Sequence, residues 1–497
     1  MKRRLADLLP DIQGVPADLV VTGFASDSRA VQAGQVFIAI LPTSNDASRH
    51  GLRYVDEALA RGAVAVLYDP PAPSDVVIPA NAIAVPKLRA RLGDFANAIH
   101  GDVTATMDVV GVTGTSGKTS TTQLIAQAWA KLGVACGTIG TLGAGLYGKE
   151  VATGFTTPLV LETHELFVEL RAAGATAVVM EVSSHALEQG RVDGVRFDIG
   201  VFTNLTRDHL DYHGDMASYG AAKARLFQRP ELKVGVINID DAFGRELAAK
   251  LPAHVCTITT SAHGDAAANI AAEGLALDAR GIAFDLRIGD RRQRILSPLL
   301  GRFNADNLLA VAGVLHAQGR DFDTIATLLP QLRPVAGRMN RLGGDGHLPL
   351  VVVDYSHKPD PLEQALDSLH AHLKGRMVCV FGCGGERDRG KRPQMARIAE
   401  DRAGLVVVTD DNPRNEDGDT IVHDIVVGFR HPERVVVERD RRRAIDFAIG
   451  ESGPDDIVLI AGKGHETYQE VKGIKHPFDD LAVARAALEV YVPGGHR

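Results

Sequence analysis

A glycine-rich segment near residue 115 carries residue types that could bind phosphate. It reads Gly111-Val112-Thr113-Gly114-Thr115-Ser116-Gly117-Lys118-Thr119-Ser120. The apolar run 107–112 predicts a buried strand before the loop, and residues 119–132 predict a helix after it. Backbone N–H groups of such a loop can point inward, and the positive end of the following helix attracts anions. Lys118 would contact the terminal phosphates of ATP, and the Thr119 hydroxyl would bind Mg²⁺.

The loop departs from the common phosphate-binding pattern in one place. That pattern has a glycine five residues before Gly117, where this chain has Val112. The glycines stand at positions 111, 114 and 117 instead, which indicates a variant loop. The alternative is a glycine-rich turn that binds nothing, and the strand–loop–helix order disfavours it.

Three further residues could lie near a metal beside this loop. Glu181 ends the apolar run 177–182, and the carboxyl ends of parallel strands face one crevice of a sheet. His209 follows another predicted strand in a loop rich in histidine and acidic residues, where it could ligate a second metal. Lys223 lies in a helical stretch. Each has a plainer alternative, namely a solvated strand end, a structural histidine and a surface lysine.

An α/β pattern throughout the 497 residues supplies the elements that position these side chains. Apolar runs of strand length alternate with helical stretches, which predicts mostly parallel sheets covered on both faces. We expect three domains: a small N-terminal α/β domain (1–100), a central P-loop ATPase-like domain (101–337) and a C-terminal Rossmann-like domain (338–497). The polar, alternating region 256–298 predicts an antiparallel appendage. Strands of the third domain are predicted at 350–354, 377–382, 405–409, 434–437 and 457–461.

Composition excludes several classes of protein. With 45% hydrophobic residues, 23% charged residues and a net charge of −8, the chain is typical of soluble globular proteins and untypical of nucleic-acid binders. No apolar stretch approaches the roughly 18 residues of a membrane span. Asp7 and Pro10 interrupt the start that would resemble a signal peptide. The four cysteines are sparse, and Cys379 and Cys383 are interpreted as buried thiols rather than zinc ligands, which favours a reducing cytoplasm.

Taken in order, the motifs of this chain resemble those of the Mur ligase family, ATP-dependent amide-forming enzymes of peptidoglycan precursor synthesis. The similarity covers essentially the whole chain, and the variant phosphate loop is itself similar to that of the family. Its motifs are Asp27-Ser28-Arg29, the phosphate loop, Thr156-Thr157-Pro158, Glu181-Val182-Ser183-Ser184-His185, residues 204–213, Phe303-Asn304-Ala305-Asp306-Asn307, Gly337-Arg338-Met339 and Asp354-Tyr355-Ser356-His357-Lys358-Pro359.

The resemblance implies roles for these residues. In the family the lysine that matches Lys223 is carbamylated by CO₂, and the anionic carbamate suits Mg²⁺ where a cationic lysine would be repelled. Lys223, Glu181 and His209 would surround one Mg²⁺, with Thr119 near another. ATP would contact the residues of the loop (Gly114, Thr115, Ser116, Gly117, Lys118, Thr119, Ser120) together with Asn304, Arg338 and Asp354. UDP-MurNAc-dipeptide would contact Ser28, Thr156, Thr157, Ser183, Gln189 and Arg191.

The loop of residues 41–50 is longer than is usual in the uridine-binding domain of the family. The resemblance therefore assigns no uridine contacts to this loop. Ser356 stands where alanine is common in its motif, a change we expect to be harmless.

The third predicted domain points to one branch of the family. Segments 384–393 and 462–466, with Asp411-Asn412-Pro413-Arg414, resemble the ligase that adds meso-diaminopimelate to UDP-MurNAc-L-Ala-D-Glu. A planar guanidinium can bind a carboxylate through two hydrogen bonds, and diaminopimelate differs from lysine by one such carboxylate. Arg414 would take that group, Asp411 and Glu466 the neighbouring ammonium, and Arg387 the other end. A lysine pocket would leave Arg414 as an unpaired charge. The residues expected at this site are Arg387, Asp411, Asn412, Pro413, Arg414, Gly462 and Glu466.

The reaction implied proceeds through an acyl phosphate and releases ADP and phosphate. We expect a cytoplasmic monomer that acts on small molecules, with no nucleic-acid partner and no membrane insertion. One rival function keeps the class and changes the acceptor, as in a lysine-adding ligase or a folylpolyglutamate synthetase. A second rival is a P-loop ATPase or kinase, which would turn over ATP without an amino acid. A third is a nucleotide-binding regulator without turnover.

Overall fold

The computed structural model describes residues 2–41, 47–335 and 337–492, and contacts divide the chain into two compact units. The first unit comprises residues 1–260 and 313–318, and the second comprises 261–312 and 319–497. Residues 42–46 of the long loop lie outside the described part of the chain.

The first hundred residues of the first unit form a small α/β layer structure. Its strands and helices are β1 (Arg3–Arg4), α1 (Leu5–Leu8), β2 (Val20–Val21), β3 (Gly23–Ala25), β4 (Gln35–Ala39), α2 (Val55–Ala60), β5 (Ala65–Tyr68), β6 (Ala82–Ala84) and α3 (Leu88–His100). Strands β3-β4-β5-β6 form a parallel sheet in that order, while β1 and β2 pair antiparallel. Alternate residues of β4 enter different cores: Val36 and Ile38 pack on one face, Phe37 and Ala39 on the other.

The rest of the first unit is built on a second, larger sheet. Its elements are β7 (Asp108–Thr113), α4 (Lys118–Lys131), β8 (Cys136–Gly140), β9 (Gly143–Leu146), α5 (Val160–Ala172), β10 (Ala177–Glu181), α6 (Ser184–Glu188), β11 (Ile199–Phe202), α7 (Leu210–His213), α8 (Met216–Ala224), β12 (Val234–Asn238), α9 (Ala242–Ala249) and β13 (Cys256–Ser261). Within this unit the order is β13-β12-β11-β7-β10-β8-β9, and only β9 runs antiparallel to its neighbour.

Strand β7 lies between β10 and β11, and this order positions the phosphate loop. Glu181 at the end of β10 is in register with Val112, and Phe202 at the end of β11 is in register with Thr113. The carboxyl ends of three parallel strands therefore meet around the loop that follows β7.

The second unit contains an antiparallel sheet and a doubly wound sheet. Its elements are β14 (Ile270–Asp278), β15 (Gly281–Ile288), β16 (Arg291–Ser297), α10 (Phe303–Ala317), α11 (Phe322–Leu328), β17 (Asn340–Gly343), β18 (Leu350–Asp354), α12 (Pro359–His370), β19 (Met377–Phe381), α13 (Lys391–Arg402), β20 (Leu405–Val408), α14 (Gly418–Val426), β21 (Val436–Val437), α15 (Arg441–Gly450), β22 (Ile457–Ala461), β23 (Tyr468–Val471), β24 (Ile474–Pro477) and α16 (Asp480–Glu489).

Five of the six strands in the doubly wound sheet are parallel. The order is β17-β18-β22-β19-β20-β21, and β17 alone is antiparallel. Val352 and Leu459 enter the core on one face, and Val351 and Val458 enter the core on the other. Strands β23 and β24 form a separate hairpin.

The predicted fold class, α/β with mostly parallel sheets, is confirmed. The antiparallel appendage is also confirmed for β14–β16. Its predicted start at residue 256 is wrong, because Cys256–Ser261 pairs parallel to β12. The strand predicted at 434–437 is shorter, since Pro432–Arg434 forms a 3₁₀ turn.

The cysteine and membrane predictions also have structural outcomes. Cys379 and Cys383 are buried free thiols, as predicted, and burial raises the pKa of each to about 12. Among the helices described, none is both long enough and apolar enough to cross a bilayer.

Candidate functional site

The phosphate loop lies between β7 and α4, as the sequence predicts. Gly114 has φ +150°, and Gly117, with φ +85°, precedes the first turn of α4, which holds Thr119 and Ser120. A Cβ at Gly114 would overlap the hydroxyl of Thr203, so the close approach of strand β11 requires glycine here.

Lys118 closes the loop on itself. Its Nζ donates to the carbonyl oxygens of Gly114 (2.8 Å) and Thr115 (2.9 Å). Burial lowers the pKa of this lysine. Phosphate oxygens could take the place of the two carbonyls as acceptors for this ammonium.

Asn204 supports the loop from the neighbouring strand end. Its carbonyl oxygen accepts from Thr115 N at 2.8 Å, and its side-chain oxygen accepts from Ser116 N at 3.0 Å. Thr206 N donates to Thr115 Oγ1 at 3.0 Å. The sequence identifies this segment as a motif but does not reveal that it braces the phosphate loop.

Glu181 and Thr119, two of the predicted metal ligands, are brought together. Glu181 is 2% exposed, and its Oε2 accepts from the Thr119 hydroxyl at 3.0 Å. Its Oε1 accepts from Thr141 N at 2.7 Å. Burial raises the pKa of Glu181, while the hydrogen bonds from Thr141 and Thr119 oppose that shift. The plainer interpretation of Glu181 as a solvated strand end is therefore wrong.

Lys223 is buried, so its interpretation as a surface lysine is also wrong. It is 1% exposed, and its Nζ donates to Gly114 O at 2.8 Å and lies 4.3 Å from the centre of the Tyr219 ring. Burial, with a contribution from the charge of Lys118, lowers the pKa of Lys223 to about 6. Burial therefore favours the neutral form of this amine, which is the form of lysine that can react with CO₂.

His209 lies at the mouth of the same region. It has φ +51°, its side chain is 48% exposed, and its Nε2 is 3.4 Å from Asp208 Oδ2. Its ring centre is 4.9 Å from that of His185 and 6.1 Å from that of Tyr219. Within residues 2–41, 47–335 and 337–492, no group of three His, Cys, Asp or Glu side chains is arranged to hold a metal. Thr119 with Glu181 is the only predicted ligand pair for which a direct contact is recorded in those ranges.

Most of the residues predicted to hold the muramyl dipeptide form one connected network. Thr157 Oγ1 donates to Glu181 O at 2.9 Å and lies 3.4 Å from Ser183 Oγ, which caps α6. Arg191 donates to Thr157 O at 3.0 Å and to the Gln189 side chain at 2.7 and 2.9 Å. This network places the predicted substrate site next to the predicted metal ligand.

Two other predicted residues of this site lie at its edges. Thr156 Oγ1 is 3.1 Å from Thr141 Oγ1, which in turn contacts Glu181. Ser28 begins a 3₁₀ turn in the small N-terminal α/β structure, and its hydroxyl donates to Glu57 at 2.6 Å. Ser28 is 6% exposed and is not joined to the network by any of the contacts seen among the described residues.

A cavity of about 640 Å³ extends from Gln189 toward the N-terminal sheet. Charged side chains of both signs line it, among them Lys87, Arg89 and Arg225 opposite Asp69. Arg89 donates to Leu41 O at 2.8 Å, next to the part of the long loop that is not described.

Three residues of the second unit are predicted to contact ATP, and hydrogen bonds hold two of them, Asp354 and Asn304, in place. Asp354 ends β18, and its carboxylate accepts from Met339 N at 2.9 Å and from the Ser356 hydroxyl. Arg338 is exposed, with its guanidinium 5.9 Å from the centre of the Tyr355 ring. Asn304 lies in the first turn of α10 and donates to Leu300 O at 2.7 Å. Ser356, which the sequence marks as an unusual residue, thus anchors Asp354.

The residues predicted to select the amino acid surround the turn Asp411–Arg414. Asn412 organises it: its Oδ1 accepts from Glu470 N and Lys463 Nζ, both at 2.9 Å, and its Nδ2 donates to Glu466 at 2.8 Å. Arg414 has φ +53° and donates from Nη1 to Gly385 O at 2.8 Å. A Cβ at Gly384 would lie 2.9 Å from Arg414 Nη1, so glycine admits the guanidinium here.

The remaining predicted residues lie around this turn. Arg387 is exposed. Gly462 has φ +123°, and a Cβ there would lie 3.7 Å from the Asp411 carboxylate. Asp411 is 7% exposed, and its Oδ1 has no hydrogen-bond partner among the described residues.

Two residues of this pocket were missed by sequence reasoning. Lys463 is fully buried, and its Nζ lies 3.4 Å from Glu466 and 3.6 Å from Asp411. Glu470 Oε2 lies 3.6 Å from Arg414 Nε, so the argument that a lysine pocket would leave Arg414 without a partner is wrong. The motif Gly462-Lys463-Gly464-His465-Glu466 signals the position of Lys463 but not its burial.

Comparison with known proteins gives matches along most of the chain. Residues 112–315 match the Mur ligase middle domain, and residues 337–464 match the Mur ligase glutamate ligase domain. A UDP-N-acetylmuramoyl-L-alanyl-D-glutamate–2,6-diaminopimelate ligase of Xanthomonas campestris pv. campestris is 60% identical over 484 residues, 97% of each chain. The Pseudomonas aeruginosa protein of that name is 45% identical over 99% of each chain. A solved structure with the same name is similar at a TM-score of 0.77, with 37% identity over 98% of this chain and 99% of the other.

Proposed function

The chain belongs to the Mur ligase family, and from this premise we propose that it is the ATP-dependent ligase that joins meso-diaminopimelate to UDP-MurNAc-L-Ala-D-Glu in peptidoglycan precursor synthesis. The observation that carries the proposal is the end-to-end similarity, at 60% identity, to a relative named as a 2,6-diaminopimelate ligase. The turn Asp411–Arg414 and the nearby Glu466 together supply two carboxylates and an arginine, charges that suit that amino acid.

The first step activates a carboxylate. The side-chain carboxylate of D-glutamate attacks the γ-phosphorus of ATP, the bond to the bridging oxygen breaks, and ADP leaves with that oxygen. Lys118 exchanges its bonds to Gly114 O and Thr115 O for phosphate oxygens and offsets their charge. Loop N–H groups of residues 114–120 orient the phosphates.

Oxygen ligands near the loop fit a hard divalent cation. Mg²⁺ would supply positive charge against the phosphate oxygens. We assign Glu181, His209 and carbamylated Lys223 to one ion and Thr119 to the neighbourhood of another. The contact of Thr119 with Glu181 at 3.0 Å supports placing the two ions next to one another.

Carbamylation of Lys223 by CO₂ is part of the proposal. The neutral amine forms a bond to the carbon of CO₂ as one C–O π bond opens, and it releases a proton to solvent. A neutral amine thereby becomes an anionic carbamate. Burial of Lys223, and the lowered pKa of about 6 that follows from it, supports this step. The short distance to Gly114 O places the group beside the phosphate loop.

The second step forms the amide. The unprotonated amine of diaminopimelate attacks the carbonyl carbon of the acyl phosphate, and phosphate leaves from the tetrahedral intermediate. Arg414 binds the distal carboxylate, Asp411 and Glu466 lie near the distal ammonium, and Arg387 binds the other end of the amino acid. The network of Thr156, Thr157, Ser183, Gln189 and Arg191 holds the muramyl dipeptide, and Ser28 lies toward the uridine.

The organisation of the chain is proposed to follow the same family. We place a UDP-substrate domain at 1–100, the ATP-binding domain at 101–337 and the amino-acid domain at 338–497. We further propose that the protein is a cytoplasmic monomer.

Phosphate release tests the proposed function. Purified protein is supplied with ATP, Mg²⁺ and UDP-MurNAc-L-Ala-D-Glu, and then with meso-diaminopimelate or L-lysine in turn. We expect strong release only with diaminopimelate, together with a product heavier than the UDP substrate by one diaminopimelate residue. Release with lysine alone would overturn the assigned specificity, and release at the full rate without any amino acid would overturn the ligase assignment.

A further inference from the structure

Glu470 forms an ion pair with the arginine of the amino-acid pocket. Its Oε2 lies 3.6 Å from Arg414 Nε, and both side chains are half-buried, at 25% and 20% exposure. At that distance the two groups attract one another without a direct hydrogen bond. Each therefore retains hydrogen-bonding capacity for a ligand.

The backbone fixes the place of this carboxylate. Glu470 N donates to Asn412 Oδ1 at 2.9 Å, and Glu470 O accepts from Arg414 N at 2.9 Å. Lys472 N then donates to Arg414 O at 2.6 Å, which joins strand β23 to the turn as a parallel bridge. Because both sides of Glu470 are bound to the turn, its side chain is held beside Arg414 and not on a free hairpin.

The other two carboxylates of the pocket already share a cation. The ammonium of Lys463, fully buried, lies 3.6 Å from Asp411 and 3.4 Å from Glu466. Lys463 offsets one of their two negative charges. Among the described residues, Glu470 forms an ion pair with Arg414 alone.

We propose that Glu470 is a specificity-determining residue, which accepts a hydrogen bond from the distal ammonium of the amino acid whose carboxylate binds Arg414. This inference rests on the proposed function. The distal carbon of diaminopimelate carries an ammonium and a carboxylate, and adjacent groups of opposite sign complement such a zwitterion. L-Lysine offers no carboxylate to Arg414, and 2-aminopimelate offers no ammonium to Glu470.

The test compares two amino acids in one variant. Glu470→Gln keeps the size of the side chain and removes its charge. We expect kcat/KM for meso-diaminopimelate to fall roughly tenfold, mainly through KM, because the uncharged amide oxygen forms a weaker hydrogen bond with the ammonium than the carboxylate does. For L-2-aminopimelate, kcat/KM should not fall. Glu489→Gln, the same change on an exposed residue of α16, should leave both values unchanged.

The ratio of the two kcat/KM values decides the outcome. If the variant changes kcat/KM for both amino acids by the same factor, upward or downward, the ratio is unchanged. That result would show that Glu470 only orients Arg414 or competes with the substrate carboxylate, and it would overturn the inference. Thermal unfolding of the variant checks that the fold is intact. Failure of the wild-type protein to use diaminopimelate would instead overturn the proposed function.

Discussion

At the scale of single residues, Lys223 shows how burial can prepare a side chain for chemistry. Removing an ammonium from water costs free energy, so burial lowers the pKa and exposes a lone pair at neutral pH. In this chain the pKa of Lys223 falls to about 6, and Tyr219 and Gly114 O surround its nitrogen. Burial thus supplies the neutral nucleophile that the proposed reaction with CO₂ needs, and a bound cation would stabilise the anionic product.

Activity should therefore depend on CO₂ through this one residue. Protein freed of CO₂ and bicarbonate should lose most of its ligase activity and regain it when bicarbonate returns. Lys223→Ala should be at least 100-fold less active and partly restored by a short carboxylic acid that replaces the carbamate. The measurement is phosphate release, with ¹³C NMR of protein supplied with ¹³CO₂ to detect the carbamate. Lys233→Ala, at an exposed lysine, is the control. Full activity of Lys223→Ala without additives would contradict the carbamate.

At the scale of elements, an ion-pair network joins α13 to Glu416, which follows the turn Asp411–Arg414, and to Asp424 of α14. Arg392, 0% exposed, donates to both oxygens of Glu416 and to Asp424, all at 2.8 Å. Its Nη2 also contacts Gly384 O at 3.4 Å, next to the guanidinium of Arg414. The hydrogen bonds from Arg392 lower the pKa of Glu416 to about 2.

This network should make the second unit sensitive to acid. A carboxyl group whose pKa is lowered by folding stabilises the fold above its unfolded pKa and loses that effect as pH falls through its folded pKa. The contribution of Glu416 should therefore disappear between about pH 4.5 and about pH 2. Glu416→Gln should lower the free energy of unfolding at pH 7 by about 3 kcal/mol, because Asp424 still pairs with the buried Arg392.

Urea unfolding at pH 7, 4 and 3 measures both effects. The wild-type protein should lose more stability over this range than Glu416→Gln, and Glu489→Gln should behave like the wild type. Equal pH dependence in wild type and Glu416→Gln would show that the Arg392–Glu416 pair does not contribute to acid stability.

Sequence reasoning succeeded where local pattern and tertiary structure agree. Leu350–Asp354 and Ile457–Ala461 were predicted to the residue, because strands buried on both faces are continuous apolar runs. The phosphate loop followed from glycines between a strand and a helix. Strand Cys256–Ser261 was misassigned because its polar alternation resembles that of the antiparallel strands after it, and only the tertiary fold places it parallel to β12.

The pocket residues that were missed depend on contacts distant in sequence. Lys463 has no local sign of burial, and it becomes buried because Asn412, 51 positions away, accepts its hydrogen bond. Glu470 lies on a hairpin whose residues are all partly exposed, so its sequence suggests a surface position. Its pairing with Arg414 follows only from the bridge between Arg414 and Val471.

At the scale of the whole molecule, each unit contains the complete set of residues assigned to one substrate. All six residues assigned to UDP-MurNAc-L-Ala-D-Glu belong to the first unit, and all seven assigned to diaminopimelate belong to the second. A ligand stabilises the parts of a protein that bind it, by about 2.7 kcal/mol at 100 times its Kd. The UDP substrate alone should therefore stabilise the first unit selectively.

Hydrogen exchange with mass spectrometry can follow both units in one experiment. With saturating UDP-MurNAc-L-Ala-D-Glu and no nucleotide, amides of residues 156–159 and 183–191 should exchange at least tenfold more slowly, since their segments carry the binding network. Amides of residues 411–416 and 468–472 should be unchanged until diaminopimelate is added. Arg191→Ala removes the arginine that joins Thr157 to Gln189, and it should abolish the protection of the first unit. Protection of residues 411–416 by the UDP substrate alone would show that the units respond together and would contradict independent binding.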